Sequence, residues 1–228
     1  MTAKTEAITP LQQELDAVAR QLEAALPPEA SQTIDWGIAQ VIAAGVSAHA
    51  LGVGARAPDF TLPAVTGEPV ALSAALARGP VVLTFYRGGW CPYCDVQLRQ
   101  YQRALPEFAS YGATLIAVSP QTPDHSVQTA TQKALSFPVV SDVGNVVARQ
   151  YGLVYRVEPR VVDTLRAIGI DLAAINGDGS GELPLTATFV IDPAGVVRWA
   201  TVDADFRRRP DAAEIVAALA ALPTGAVR

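Results

Sequence analysis

The sequence of 228 residues holds only two cysteines and two histidines, and Lys4 and Lys133 are the sole lysines among its seventeen basic residues. So few cysteines exclude a small secreted scaffold stapled by disulfides. The lysine shortage reads as codon bias rather than mechanism. No stretch approaches the roughly 18 uninterrupted apolar residues of a membrane-spanning helix, so no membrane role is expected. Positive charge is also in deficit. The net charge of −5 sets up a field that repels nucleic acid and anionic membranes. The opening stretch, MTAKTEAITPLQQELDAVARQLEAAL, carries acids where a secretory leader needs basic and then apolar residues, which makes the cytoplasm the expected location.

What is present is apolar. Half of the residues are hydrophobic and 17% are charged, which supplies a sizeable core and argues against global disorder. At roughly 100–200 residues per domain, the length suits one domain plus an extension. Leu11, Leu15, Val18, Leu22 and Leu26 recur every three to four residues and predict an amphipathic helix over residues 10–27, stopped by Pro27-Pro28. A second helical stretch over 30–48 carries Ile34, Ile38, Val41 and Ile42. Together they predict a helical hairpin, residues 1–51, packed on a larger unit, residues 52–228. From Gly52 onward short apolar runs alternate with helical stretches. Val81–Tyr86, Thr114–Ser119, Phe137–Ser141, Thr188–Asp192 and Val196–Thr201 read as strands. Residues 92–109, 124–135, 144–150, 160–168 and 211–221 read as helices. This alternation predicts an α/β unit with a largely parallel sheet. Asp192–Gly195 reads as a tight turn that makes the last two strands an antiparallel hairpin. The Gly- and Asp-rich residues 171–185 read as loop.

The segment TFYRGGWCPYC, residues 84–94, places both thiols where a buried strand ends and a helix begins. Pro92 suits the first helical position, which makes Cys91 the N-cap residue at the positive end of the helix dipole. Its pKa is therefore expected to fall from about 8.5 into the roughly 3.5–7.5 range of such cysteines. Arg87, four residues earlier, adds a cation. Cys94, one turn into the helix, is expected to be buried and to attack an oxidised Cys91. A zinc site would need two further ligands, and His49 and His125 stand in distant, unrelated contexts, so no metal or other cofactor is expected. Two inert cysteines have no structural reason to form CxxC directly after a strand, which leaves thiol redox chemistry. His125 reads as a capping-region residue, Arg207-Arg208-Arg209 as a solvated loop before the last helix, and Trp90 and Tyr93 as an apolar wall beside Cys91.

Around this motif the chain resembles the peroxiredoxins, the alkyl hydroperoxide reductase/thiol-specific antioxidant family. The resemblance rests on Gly54–Leu62 (GARAPDFTL), Gly67, Val70, Leu72, Gly79–Phe85, Val118–Pro120, Asp124-His125, Phe137–Asp142, Tyr151-Gly152 and Thr188–Asp192. It implies a thioredoxin-like fold, a central mixed sheet flanked by helices with an N-terminal β-hairpin. It also implies Cys91 as the peroxide-attacking residue and reduction by a thiol partner. The active-site loop departs from that family. Gly88 and Thr84 occupy the slots of its Pro-x-x-x-Thr-x-x-Cys motif, and Thr186 occupies the slot of an arginine that polarises the peroxide. The run Arg87–Cys94 instead resembles thioredoxin-like disulfide reductases, although Thr186 also replaces their proline opposite the CxxC and Phe85 their buried aspartate.

The expected function is therefore a thiol peroxidase acting on hydrogen peroxide or organic hydroperoxides. Cys91 becomes a sulfenic acid, Cys94 resolves it to a disulfide, and a thioredoxin-type or small dithiol restores both. Arg87 is expected to take part in catalysis, and Trp90, Tyr93, Gly88 and Thr186 to line the substrate site. Two alternatives stand beside it: a thiol–disulfide oxidoreductase, and a non-enzymatic redox-sensing partner protein. The resemblance and the apolar extension both favour a homodimer.

Overall fold

The computed structural model describes residues 11–223. Two helices come first, α1 (Leu11–Ala25) and α2 (Pro28–Ala43), then a 3-10 turn at Val46–His49 and a small antiparallel pair, β1 (Thr61–Pro63) with β2 (Pro69–Ala71). The sheet is built from β3 (Val81–Phe85), β4 (Thr114–Ser119), β5 (Val139–Ser141), β8 (Thr186–Ile191) and β9 (Val197–Asp203) in the order β5-β4-β3-β8-β9. Around it run α3 (Leu72–Leu76), α4 (Pro92–Ser110), α5 (Pro123–Gln132), α6 (Val146–Gln150), α7 (Pro159–Ala167), α8 (Leu172–Asn176) and α9 (Ala212–Ala220). A second small pair joins β6 (Val154–Arg156) to β7 (Glu182–Pro184).

The central strand explains its own sequence. Every residue of β3 is buried, because both faces are covered and alternation with polar residues has no use there. Val81, Leu83 and Phe85 face the core under β1, α3 and α6, whereas Val82 faces the core shared with α1, α4 and α9. The β3–β4 and β4–β5 pairings are parallel, but β3–β8 and β8–β9 are antiparallel. The sheet is thus mixed, as the resemblance implies, rather than largely parallel as the alternation alone suggests. The β8–β9 pair forms the expected edge hairpin, its turn closed by the Gly195 amide donating to the Asp192 carbonyl at 2.8 Å. Residues 171–185 are not all loop. Asp171 caps α8 through the Ala173 and Ala174 amides, and Leu183 in β7 is wholly buried.

The first two helices do not close on each other. α1 lies along α4, and α2 crosses α7 where Gly37 leaves no room for a side chain: a Cβ there would stand 2.6 Å from Val161 Cγ2. Leu11 and Leu15 enter the main core, whereas Leu22 and Leu26 are half-buried. The Leu11 amide donates to Asp211 at 3.0 Å, the same carboxylate that caps α9 and accepts from Gln100 of α4 at 3.2 Å. Leu11 and Leu15 of the extension therefore pack on the body. Among the described residues no helix is long and apolar enough to cross a membrane.

Candidate active site

β3 ends at Phe85, and the chain turns through Tyr86–Trp90 into α4, whose N-cap is Cys91 and first helical residue Pro92. Two glycines permit the turn. A Cβ on Gly88, which has φ +146°, would lie 2.3 Å from Trp90 Nε1, and one on Gly89 would lie 2.2 Å from Thr129 Oγ1. The Gly89 amide donates to Gln121 Oε1 at 2.7 Å, fixing the loop to the end of β4. Gly88 thus acts by making room for the indole. Lys133 ties the helix start down through Asp95 at 2.5 Å.

Both sulfurs are buried, Cys91 at 1% exposure and Cys94 at 0%. Cys91 forms part of the floor of a largely apolar cavity of about 510 Å³, together with Arg87, Trp90 and Tyr93. The Cys94 sulfur lies behind it. Arg87 is only 5% exposed, and its Nη1 stands 3.7 Å from Cys91 Sγ. The guanidinium is held between two rings, with Cζ 3.8 Å from the Phe206 centroid and 4.7 Å from that of Trp90. Such stacking fixes a planar cation at little entropic cost. Among the described residues no carboxylate lies within ion-pair distance of it. Tyr93 packs edge-on against Phe206, centroids 5.8 Å apart. Thr186 does not join this group. It is buried at the start of β8 beside a separate small gap lined by Gln97 and Arg209.

The two thiols are pushed in opposite directions, and Arg209 stands on the side of Cys94. Burial, followed by the hydrogen bond to Cys94 and the charge on that sulfur, pushes the Cys91 thiol well up against the pull of Arg87 and Arg209. Burial also works against a Cys94 thiolate. There the hydrogen bond from Cys91 and then the guanidinium groups of Arg209 and Arg87 outweigh it, and Cys94 is held well below the ordinary thiol range. Arg209 Nη2 is 3.3 Å from Cys94 Sγ, and its other donors hold Gln97 Oε1 at 2.8 Å and the Phe206 carbonyl at 2.7 Å. A helix terminus is worth about 0.3–1 kcal/mol, whereas a charge-assisted hydrogen bond is worth about 1.5–3 kcal/mol. The terminus alone therefore cannot keep the charge on Cys91.

The arginine run is accordingly not a solvated loop. Arg209 serves Cys94, Arg207 pairs with Asp205 and reaches Asp35 of α2 at 2.7 Å, and only Arg208 points into solvent. Nothing in the local pattern links position 209 to position 94. The one hint in the sequence is a basic run directly before a helix that must pack on α4. His125 lies at the start of α5 with Nδ1 2.8 Å from Thr122 Oγ1, a capping-region role, and His49 is exposed. Among the described residues no group of three or more His, Cys, Asp or Glu could hold a metal ion.

Known proteins are similar to this chain in sequence and in fold. The sequence model of the AhpC/TSA family matches residues 53–200. Alkyl hydroperoxide reductase E of Mycobacterium tuberculosis is 30% identical over 152 residues, 66% of this chain and 84% of that protein. The chloroplastic peroxiredoxin Q of Sedum lineare is 28% identical over 145 residues, 64% of this chain and 66% of that protein. A further M. tuberculosis relative is 34% identical over 95 residues, which span only 62% of its length. The chain thus spans less than two thirds of some relatives it matches. The crystal structure of the M. tuberculosis peroxidoxin BcpB superposes with a TM-score of 0.60 at 26% identity, covering 76% of this chain and 99% of that one.

Proposed function

The chain belongs to the AhpC/TSA family of peroxiredoxins, and from that premise we propose that it is a thiol peroxidase whose Cys91 and Cys94 cycle between dithiol and disulfide. The observation that supports this reading is the placement of the two sulfurs: Cys91 borders the cavity beside Arg87, and Cys94 lies behind it against Arg209. In the resting pair the Cys91 thiol donates its proton towards the Cys94 thiolate. As a hydroperoxide enters, that proton passes to Cys94 while Cys91 Sγ attacks the terminal oxygen. The S–O bond forms, the O–O bond breaks, and the departing alkoxide takes the proton from Cys94 to become the alcohol, which returns Cys94 to the thiolate. Arg87 and the free amides at the start of α4 stabilise charge on the oxygens in flight. Cys94 then attacks the sulfenic sulfur of Cys91, forming the disulfide and releasing hydroxide. A thioredoxin-type or small dithiol returns two electrons and two protons.

A protein disulfide would have to reach a sulfur that is 1% exposed at the base of a cavity, which weighs against the disulfide-reductase reading. Stopped-flow oxidation of the reduced protein by hydrogen peroxide and by an organic hydroperoxide, run beside an insulin-reduction assay, separates the two. Rapid peroxide consumption with slow insulin reduction is expected. The reverse ranking would transfer the assignment to disulfide exchange.

A further inference from the structure

The cavity over Cys91 has walls that peroxide chemistry alone does not need. Leu22 of α1, Leu26 just beyond its end, and Ile34 and Ile38 of α2 line it on one side, and Val161 and Leu165 of α7 on the other. Both α1 and α2 precede residue 53, where the family match begins. The volume of about 510 Å³ falls within the roughly 300–1,000 Å³ of pockets that enclose drug-sized ligands, and far exceeds what hydrogen peroxide fills. Its floor is polar and incompletely partnered. Arg87 Nε and Trp90 Nε1 are buried without a hydrogen-bond acceptor among the described residues. The remaining wall carries the carboxylates of Glu23, Asp35 and Glu158. The added cation, Arg207, is already committed to Asp205 and Asp35.

We propose that α1 and α2 form a specificity element which makes this cavity a binding site for the tail of a neutral, bulky or long-chain organic hydroperoxide. The O–O group would sit over Cys91, Arg87 and Trp90, and the tail would lie between α1, α2 and α7. Burying the tail removes apolar surface from water, and Glu23 and Glu158 among the lining residues disfavour an anionic head group. Hydrogen peroxide gains nothing from these walls and is the poorer substrate. The inference rests on the peroxidase reading and adds its substrate class.

The test uses the full chain with one dithiol reductant and two substrates, methyl linoleate hydroperoxide and hydrogen peroxide. Ile34→Trp fills the cavity without touching the sulfurs, and Leu26→Trp is a second filling variant if the first does not fold. kcat/KM for the long-chain hydroperoxide is expected to exceed that for hydrogen peroxide by about tenfold or more, as burial of several methylenes allows. A filling variant is expected to remove that advantage while leaving the hydrogen peroxide value within about twofold. Equal kcat/KM for the two substrates, or equal losses for both in the variants, would overturn the proposal. Calorimetric binding of methyl linoleate, which has no O–O bond, keeps the two readings apart. Binding to wild type and not to Ile34→Trp in a protein that consumes no peroxide would sink the peroxidase reading and leave the cavity assignment standing. Peroxide turnover with no methyl linoleate binding would do the reverse.

Discussion

The two sides of the Cys91–Cys94 turn are built from opposite materials. In front of Cys91 stand leucine, isoleucine and valine side chains from α1, α2 and α7. Behind Cys94 stand Arg209, Gln97 and a buried hydroxyl network in which Tyr101 and Thr188 take part. The cavity side gives access beside Arg87, and the side behind Cys94 supplies the Arg209 guanidinium. Neither environment alone makes a competent thiol. A thiolate facing the apolar cavity would be poorly solvated, and one confined behind the helix would meet no substrate. The separation works because one proton can move across a single helical turn.

Five measurements would break or sharpen this contrast. Cys91→Ser is expected to abolish peroxide consumption, since the sulfur bordering the cavity is gone; residual turnover through Cys94 would end the division of roles. Cys94→Ser is expected to slow the first oxidation about a hundredfold at pH 7, the usual worth of a positioned base, and to stall after about one equivalent at sulfenic or sulfinic acid. Wild-type turnover with thioredoxin would show that Cys94 neither accepts the proton nor resolves. Arg87→Met is expected to lower kcat/KM a few tens-fold, less than the roughly 10²–10³ of a well-placed oxyanion donor, because 3.7 Å is a long contact to Cys91. A change under twofold would reduce Arg87 to packing between Trp90 and Phe206.

Arg209→Met tests the polar side directly. The depressed Cys94 group keeps the pair charged well below the ordinary thiol range, so the wild-type oxidation rate should hold through neutral pH and fall only in acid. Removing the guanidinium raises the Cys94 pKa, so the fall in rate moves to higher pH. Thiolate absorbance against pH reads this independently of turnover, and coincident titration curves would remove Arg209 from the site. The smallest effect concerns labelling. Iodoacetamide is expected to modify Cys91 before Cys94 although Cys94 bears the charge; preferential Cys94 modification would mean that access does not govern the order.

Much of this architecture is legible locally. The apolar run Val81–Phe85, the Pro92 start of α4 and the Asp192–Gly195 turn need only near neighbours to read. The β6–β7 pair is harder, because Leu183 is buried by residues such as Val157 and Leu172 and its own surroundings in sequence are glycine and aspartate. The same holds for the site. Cys91 as N-cap follows from its spacing to Pro92, and Arg87 from the glycines after it. Arg209 reaches Cys94 from 115 residues away, and Thr186 falls outside the cavity. The periodicity of α1 correctly marks an apolar stripe. It does not reveal that the first half of that stripe enters the core while the second half lines a cavity.

Asp211 links places 200 residues apart in the chain. One carboxylate accepts the Leu11 and Ala213 amides and the Gln100 side chain, so the first described turn of α1 shares its anchor with α4 and the cap of α9. Terminal helix amides ordinarily exchange with deuterium by local fraying. Here the Leu11 amide exchanges only when Asp211 lets go, so its protection rises and falls with that of the α9 cap. The helix that walls the cavity thereby opens in concert with the far end of the fold.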